Sequence, residues 1–172
     1  MTDAQTQKYF PVSWDDMHRS AKALAWKLHD IGHWKGLIAI TRGGLVPAAI
    51  IARELEIRVI ETVSVVSRAA SDGSASGQHE ETVILKHPAN VGDGEGWLVI
   101  DDLVDTGRTI EVLRRMLPKA YFAAVYAKPQ GMPLIDSFVT EVSQDTWIFL
   151  PWDGEMQISQ PIAQQRKTPP GT

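Results

Sequence analysis

Residues 101–109 include Asp101, Asp102, Asp105, Thr106, Gly107 and Thr109: three acids that run into a turn of hydroxyls and glycine. Adjacent carboxylates suit a divalent cation or sugar hydroxyls, because a hard cation takes oxygen ligands. The turn precedes a helical stretch, residues 110–116, whose first free N–H groups and positive dipole end suit a phosphate dianion. Gly107 lets the backbone come close, and Thr106 and Thr109 add hydroxyl donors without adding negative charge. Taken in order, these groups describe a site for a phosphorylated, metal-bound sugar.

An apolar run must position the acids. Trp97, Leu98, Val99 and Ile100 show almost no polar alternation, the pattern of a strand covered on both faces inside a parallel sheet. Asp101 and Asp102 then stand at its carboxyl end, the edge where open α/β sheets bind ligands. Successive residues on an extended chain point opposite ways, so the two acids can serve different ligands. Upstream, Ser13 reads as the cap of a helix in which Trp14, Met17, Ala21, Leu24, Leu28 and Ile31 recur at steps of three and four. Residues 36–40 predict a short strand, 41–44 a tight loop, 45–55 a helix with Pro47 in its first turn, and 57–66 a β-branched strand. Residues 67–78 have few apolar groups to bury and read as a mobile loop. Residues 82–86 return as a strand, Gly92-Asp93-Gly94-Glu95-Gly96 turns the chain into the central strand, and 121–127 form another buried strand. Alternation of strand, helix and strand predicts an α/β fold with a mainly parallel, doubly wound sheet.

At 172 residues the chain fits one domain that buries a core without staples. The absence of cysteine excludes disulfides, a thiolate zinc site and a catalytic thiol. A formal charge of −4 with no basic stripe argues against nucleic acid as a partner. Residues 1–8 lack the apolar core of a signal peptide, and no apolar run approaches the roughly 20 residues of a bilayer span, so a cytoplasmic protein is the expectation. Residues 154–172 are polar and proline-rich, an extension whose last ten or so residues are expected to be disordered.

The string from Trp97 to Thr109 resembles the phosphoribosyl pyrophosphate (PRPP) motif of the type I phosphoribosyltransferases. The likeness extends through Trp34-Lys35-Gly36, Thr41-Arg42-Gly43-Gly44-Leu45-Val46-Pro47, Ala52-Arg53-Glu54-Leu55, the Gly92 to Gly96 string, Ala127-Lys128-Pro129 and Gln144-Asp145-Thr146-Trp147-Ile148. It covers residues 9–153 in order, and is nearest to bacterial purine enzymes acting on xanthine and guanine. This resemblance implies a single domain over 9–153, with a small hood subdomain mainly within 129–153 that covers the base.

The resemblance also implies roles. PRPP would be held by Arg42, Gly43, Asp101, Asp102, Leu103, Val104, Asp105, Thr106, Gly107, Arg108 and Thr109, with a non-proline cis bond at Thr41–Arg42. Mg²⁺ would be linked to Asp102, with Asp101 and Asp153 as secondary candidates. Asp105 would sit beside purine N7 as general acid–base, although aspartate before Thr-Gly is also a common turn choice. Lys128 would donate to the 6-oxo oxygen, Trp147 would stack on the base, and a backbone carbonyl at Trp147-Ile148 would read the 2-position. Two departures stand out: Arg108 replaces a small residue, and the loop lacks the usual tyrosine and basic residue, leaving Arg68 or His79 as substitutes.

Such a protein would join guanine or xanthine, and more weakly hypoxanthine, to PRPP, giving GMP, XMP or IMP plus pyrophosphate. A homo-tetramer and a peripheral association with the inner membrane are further implications of the resemblance. Two rivals remain. A non-catalytic PRPP or nucleotide sensor shares the fold but tends to lack the base-reading set. A phosphoacceptor receiver domain also has paired acids and a late Lys-Pro, but its acidic pair follows the first strand.

Overall fold

The computed structural model describes residues 8–69 and 80–153. Its main sheet has six strands in the order β4-β3-β2-β5-β6-β7: β2 (Gly36–Thr41), β3 (Ile60–Ala69), β4 (Glu80–Lys86), β5 (Trp97–Val104), β6 (Tyr121–Ala127) and β7 (Ser137–Glu141). Every pairing is parallel except β3 with β4. Three helices pack on it: α1 (Trp14–His29), α2 (Leu45–Glu54) and α3 (Arg108–Met116).

Alternation along the central strands sorts their side chains into two cores. Leu37, Ala39, Leu98, Ile100, Ala123 and Val125 pack with Met17, Ala21, Leu24 and Leu28 of α1 and Ala48, Ile51 and Ala52 of α2. Ile38, Ile40, Val99, Phe122 and Ala124 pack on the other face with Ile110 and Leu113 of α3. Helices on both faces make the sheet doubly wound, as the strand–helix alternation predicts. Ser13 caps α1 in a reciprocal box with Asp16. The outermost members of the expected apolar stripe do not join the core: Trp14 packs its ring on Trp152, and Ile31 lies past the end of the helix at His29, so both are exposed.

Three segments differ from expectation. Ser67, Arg68 and Ala69 continue β3, paired in register with Thr82, Glu81 and Glu80, rather than opening the loop; residues 70–79 lie outside the described part, as does the 154–172 extension. Within the 129–153 segment expected to form the hood, β7 adds to the main sheet beside β6. The smaller sheet pairs β8 (Thr146–Phe149) with β1 (Lys8–Pro11), so residues from the amino-terminal end complete it. All four residues of β1 are exposed, which leaves no apolar alternation for a sequence reading to find.

Candidate active site

The strand order reverses between β2 and β5, since α2 leads to β3 on one side of β2 while β5 and β6 lie on the other. Such a switch point leaves a crevice outside the strands' carboxyl ends. Pairing of β2 with β5 stops at Ala39 and Ile100, whereas β5 stays paired with β6 through Val104. The strand thus runs on through both acids instead of ending before them. Asp101 and Asp102 stand past their last partner on β2, beside the loop that leaves it.

That loop is shaped by contact. A Cβ at Gly43 would overlap the carboxyl group of Asp102, and one at Gly44 would meet the carbonyl oxygens of Ile100 and Ile40. Both glycines therefore satisfy a packing demand in addition to any approach to phosphate. The Thr41–Arg42 bond is cis, as the resemblance implies, and the Arg42 side chain is exposed.

Asp101 Oδ1 accepts the N–H of Asp102 at 2.9 Å, and Asp102 Oδ1 accepts that of Leu103 at 2.7 Å. Burial, followed by the charge of Asp102, pushes the Asp101 carboxyl well above the usual carboxylate range. Burial also raises Asp102, with Asp153 adding to it, against the hydrogen bonds that Asp102 accepts. Two acids so placed favour a proton or a cation between them. The oxygen donors of this acidic pair suit a divalent cation such as Mg²⁺, which would take the rest of its shell from water and substrate oxygens; no cluster of three His, Asp or Glu side chains is present among the described residues. Asp153 follows β8 in a turn where its Oδ2 accepts the Leu150 N–H at 3.0 Å.

Asp101, Leu103 and residues 104–110 line a cavity of about 350 Å³. Gly107 adopts φ 83° at the N-cap of α3, where a Cβ would overlap Leu134. Its N-cap residue makes no side-chain cap hydrogen bond, and a helix start of this kind suits an anion. Thr106 and the Arg108 side chain are exposed, and Thr109 is half-buried.

Both oxygens of Asp105, which lines the same cavity, are engaged. Lys128 Nζ donates to Oδ2 at 2.8 Å and Gln144 Nε2 donates to Oδ1 at 2.6 Å. Lys128 is only 6% exposed, and its own N–H donates to Val104 O, tying the end of β6 to that of β5. Sequence reasoning named Asp105 and Lys128 separately. It missed Gln144, an uncharged residue whose only signal was its place in the Gln144 to Ile148 string. On β8 the side chains alternate, with Trp147 59% exposed and Ile148 buried. No described contact joins Trp147 to Asp105; Gln144, three residues earlier, is the link between that segment and the acid. The side chains of Arg68 and His79 lie outside the described part.

Comparison with known proteins gives consistent matches. A family model, the phosphoribosyl transferase domain, matches residues 13–159. The xanthine-guanine phosphoribosyltransferase of Desulfotalea psychrophila is 58% identical over 158 residues, covering 92% of this chain and 94% of the relative. That of Nitratidesulfovibrio vulgaris is 55% identical over 159 residues, covering 92% and 93%. The crystal structure of a purine phosphoribosyltransferase from Pyrococcus horikoshii superposes with a TM-score of 0.71 at 25% identity, covering 90% of this chain and 99% of that one.

Proposed function

The chain belongs to the phosphoribosyl transferase family, and on that premise we propose that it is a purine-salvage enzyme joining guanine or xanthine to PRPP, with release of pyrophosphate. Hypoxanthine is the weaker third substrate. The observation that carries the choice of base is the contact between Lys128 and Asp105, a buried ammonium and a carboxylate 2.8 Å apart beside the phosphate turn.

The edge of a 6-oxopurine offers an acceptor at O6 next to N7. Lys128 donates to O6, and Asp105 accepts or returns the proton at N7, so the entering base exchanges their mutual contact for two contacts of its own. Adenine presents an amino group to the same ammonium and leaves it without an acceptor, which discriminates against that base. Trp147 offers an open ring face for stacking, and the Trp147-Ile148 backbone reads the 2-position.

PRPP lies across the crevice. The first-turn N–H groups of α3, with Thr106 and Thr109, take its 5-phosphate, and Asp101 takes ribose hydroxyls. Arg42 and Gly43 sit at the pyrophosphate, with Leu103, Val104 and Arg108 completing the pocket. Asp102 would hold Mg²⁺, with Asp101 and Asp153 nearby, and the ion would supply positive charge to offset that of the departing pyrophosphate. Relatives of high identity that carry the name xanthine-guanine phosphoribosyltransferase support this reading.

Three finer assignments belong to the same proposal: a cytoplasmic location, a homo-tetramer, and peripheral contact with the inner membrane. No helix among the described residues is long and apolar enough to cross a membrane. The reaction is tested by incubating the protein with PRPP and each base in turn, with and without Mg²⁺, and measuring nucleotide and pyrophosphate. Failure to form product from guanine and xanthine would overturn it, and binding without turnover would favour the sensor.

A further inference from the structure

We propose that Gln144 is a positioning residue for Asp105: it holds the carboxylate in place at the moment Lys128 leaves it for the base. The inference rests on the functional reading above and extends it to a residue that reading does not use.

The geometry is directional. Gln144 Oε1 accepts the backbone N–H of Gln130 at 3.0 Å, which turns the other end of the amide, the NH₂ group, toward Asp105. An amide NH₂ only donates and does not titrate, so at 2.6 Å from Oδ1 it holds Asp105 as the acceptor. Lys128 is different, because its ammonium is needed by the 6-oxo oxygen. Once that donor turns to the base, Asp105 would have lost one of its two side-chain partners. With Gln144 in place it retains the other, and Oδ2 is freed to meet N7. Without it, a carboxylate that is about half exposed swings among rotamers, and misplacement by an ångström is costly to a proton transfer.

Gln144 also joins separate parts of the fold. Gln130 follows β6, Asp105 follows β5, and Gln144 leads into β8, which carries the stacking tryptophan. A base docking on Trp147 therefore engages a segment already tied to the acid. Among the described residues, Lys128 from the end of β6 is the charged group in contact with Asp105, and Asp101 and Arg108 line the same cavity. Gln144 is the neutral member of this set.

The test is a double-mutant cycle of Gln144→Leu, Asp105→Ala and the pair, measuring kcat, both KM values and Tm. Gln144→Leu should lower kcat with guanine roughly tenfold to hundredfold, the scale of one hydrogen bond to a charged group. KM for PRPP should stay within about twofold, and in the Asp105→Ala protein the same change should alter kcat by less than about twofold. An equal loss in both backgrounds, no loss in either, or a matching rise in KM for PRPP would overturn the proposal. Were the unaltered protein to form no nucleotide, the functional reading would fall by itself. The Tm cycle of the unliganded proteins then decides the contact: a smaller Tm loss from Gln144→Leu in the Asp105→Ala background keeps it, and additive losses remove it.

Discussion

The carboxyl group of Asp102 occupies the space that a side chain at Gly43 would need. The proposed metal-linked acid and the proposed pyrophosphate loop are thereby locked in shape to each other. Gly43→Ala forces Asp102 to move off the Leu103 N–H that holds it at 2.7 Å. The variant should fold, yet lose at least about tenfold in kcat/KM for PRPP, the order of effect that misplacing one charged contact produces. It should also require more Mg²⁺ for half-maximal rate. Unchanged PRPP and Mg²⁺ kinetics would separate the two residues.

Asp101 works against the stability of the metal-free protein. Its carboxyl is raised well above the ordinary range, chiefly by burial and then by Asp102. The unfolded chain releases this proton near pH 4, whereas the folded chain keeps it to higher pH. Folding stability from this group is therefore present at low pH and falls as pH rises toward the folded pKa. Asp101→Asn should raise Tm at neutral pH, flatten that part of the Tm–pH curve and abolish PRPP turnover. A lower Tm at neutral pH in chelator-treated protein would contradict the assignment.

Lys128→Met keeps the length of a buried side chain and removes its charge. It should raise KM for guanine and xanthine, with a loss in kcat/KM of about tenfold to hundredfold, as expected for a charge-assisted hydrogen bond. KM for PRPP should change little. Steady-state kinetics with the base and PRPP varied separately distinguish this from a general loss of fold.

Trp147 and Ile148 should behave oppositely, because they alternate on β8. Trp147→Ala removes an exposed ring, so Tm should hold while KM for the base rises by about three- to tenfold, in line with the roughly 0.5–1.5 kcal/mol of an aromatic stacking contact. Ile148→Ala opens the core and should cost about 2–5 kcal/mol of stability. Denaturant unfolding of the two variants beside the parent checks both statements.

The parts legible in the sequence are those governed by local pattern. The unbroken apolar run before Asp101 announced a doubly buried central strand, Ser13 announced a helix start, and Gly107 announced a turn. Asp105 and Lys128 were legible through their motifs, although nothing local said that they touch. Long-range pairing was harder. Residues 138–142 have the same short alternating look whether they join a hood or extend the main sheet, and the difference lies in their partner, β6. Strand β1 has no buried residue and exists by pairing with β8, more than 130 positions away in register, Lys8 with Thr146. Gln144 escaped because an amide carries no charge signature; its role comes from two hydrogen bonds that only the folded chain assembles.

The most direct measurement is kcat/KM for guanine, xanthine and adenine with saturating PRPP and Mg²⁺, followed by nucleotide and pyrophosphate formed in equal amounts. The proposed reaction predicts turnover of guanine and xanthine and at least about a hundredfold preference for them over adenine, the scale set by leaving a buried charged donor unpaired. Equal use of adenine would contradict the role given to Lys128 and Asp105, and no nucleotide from any base would contradict the reaction itself.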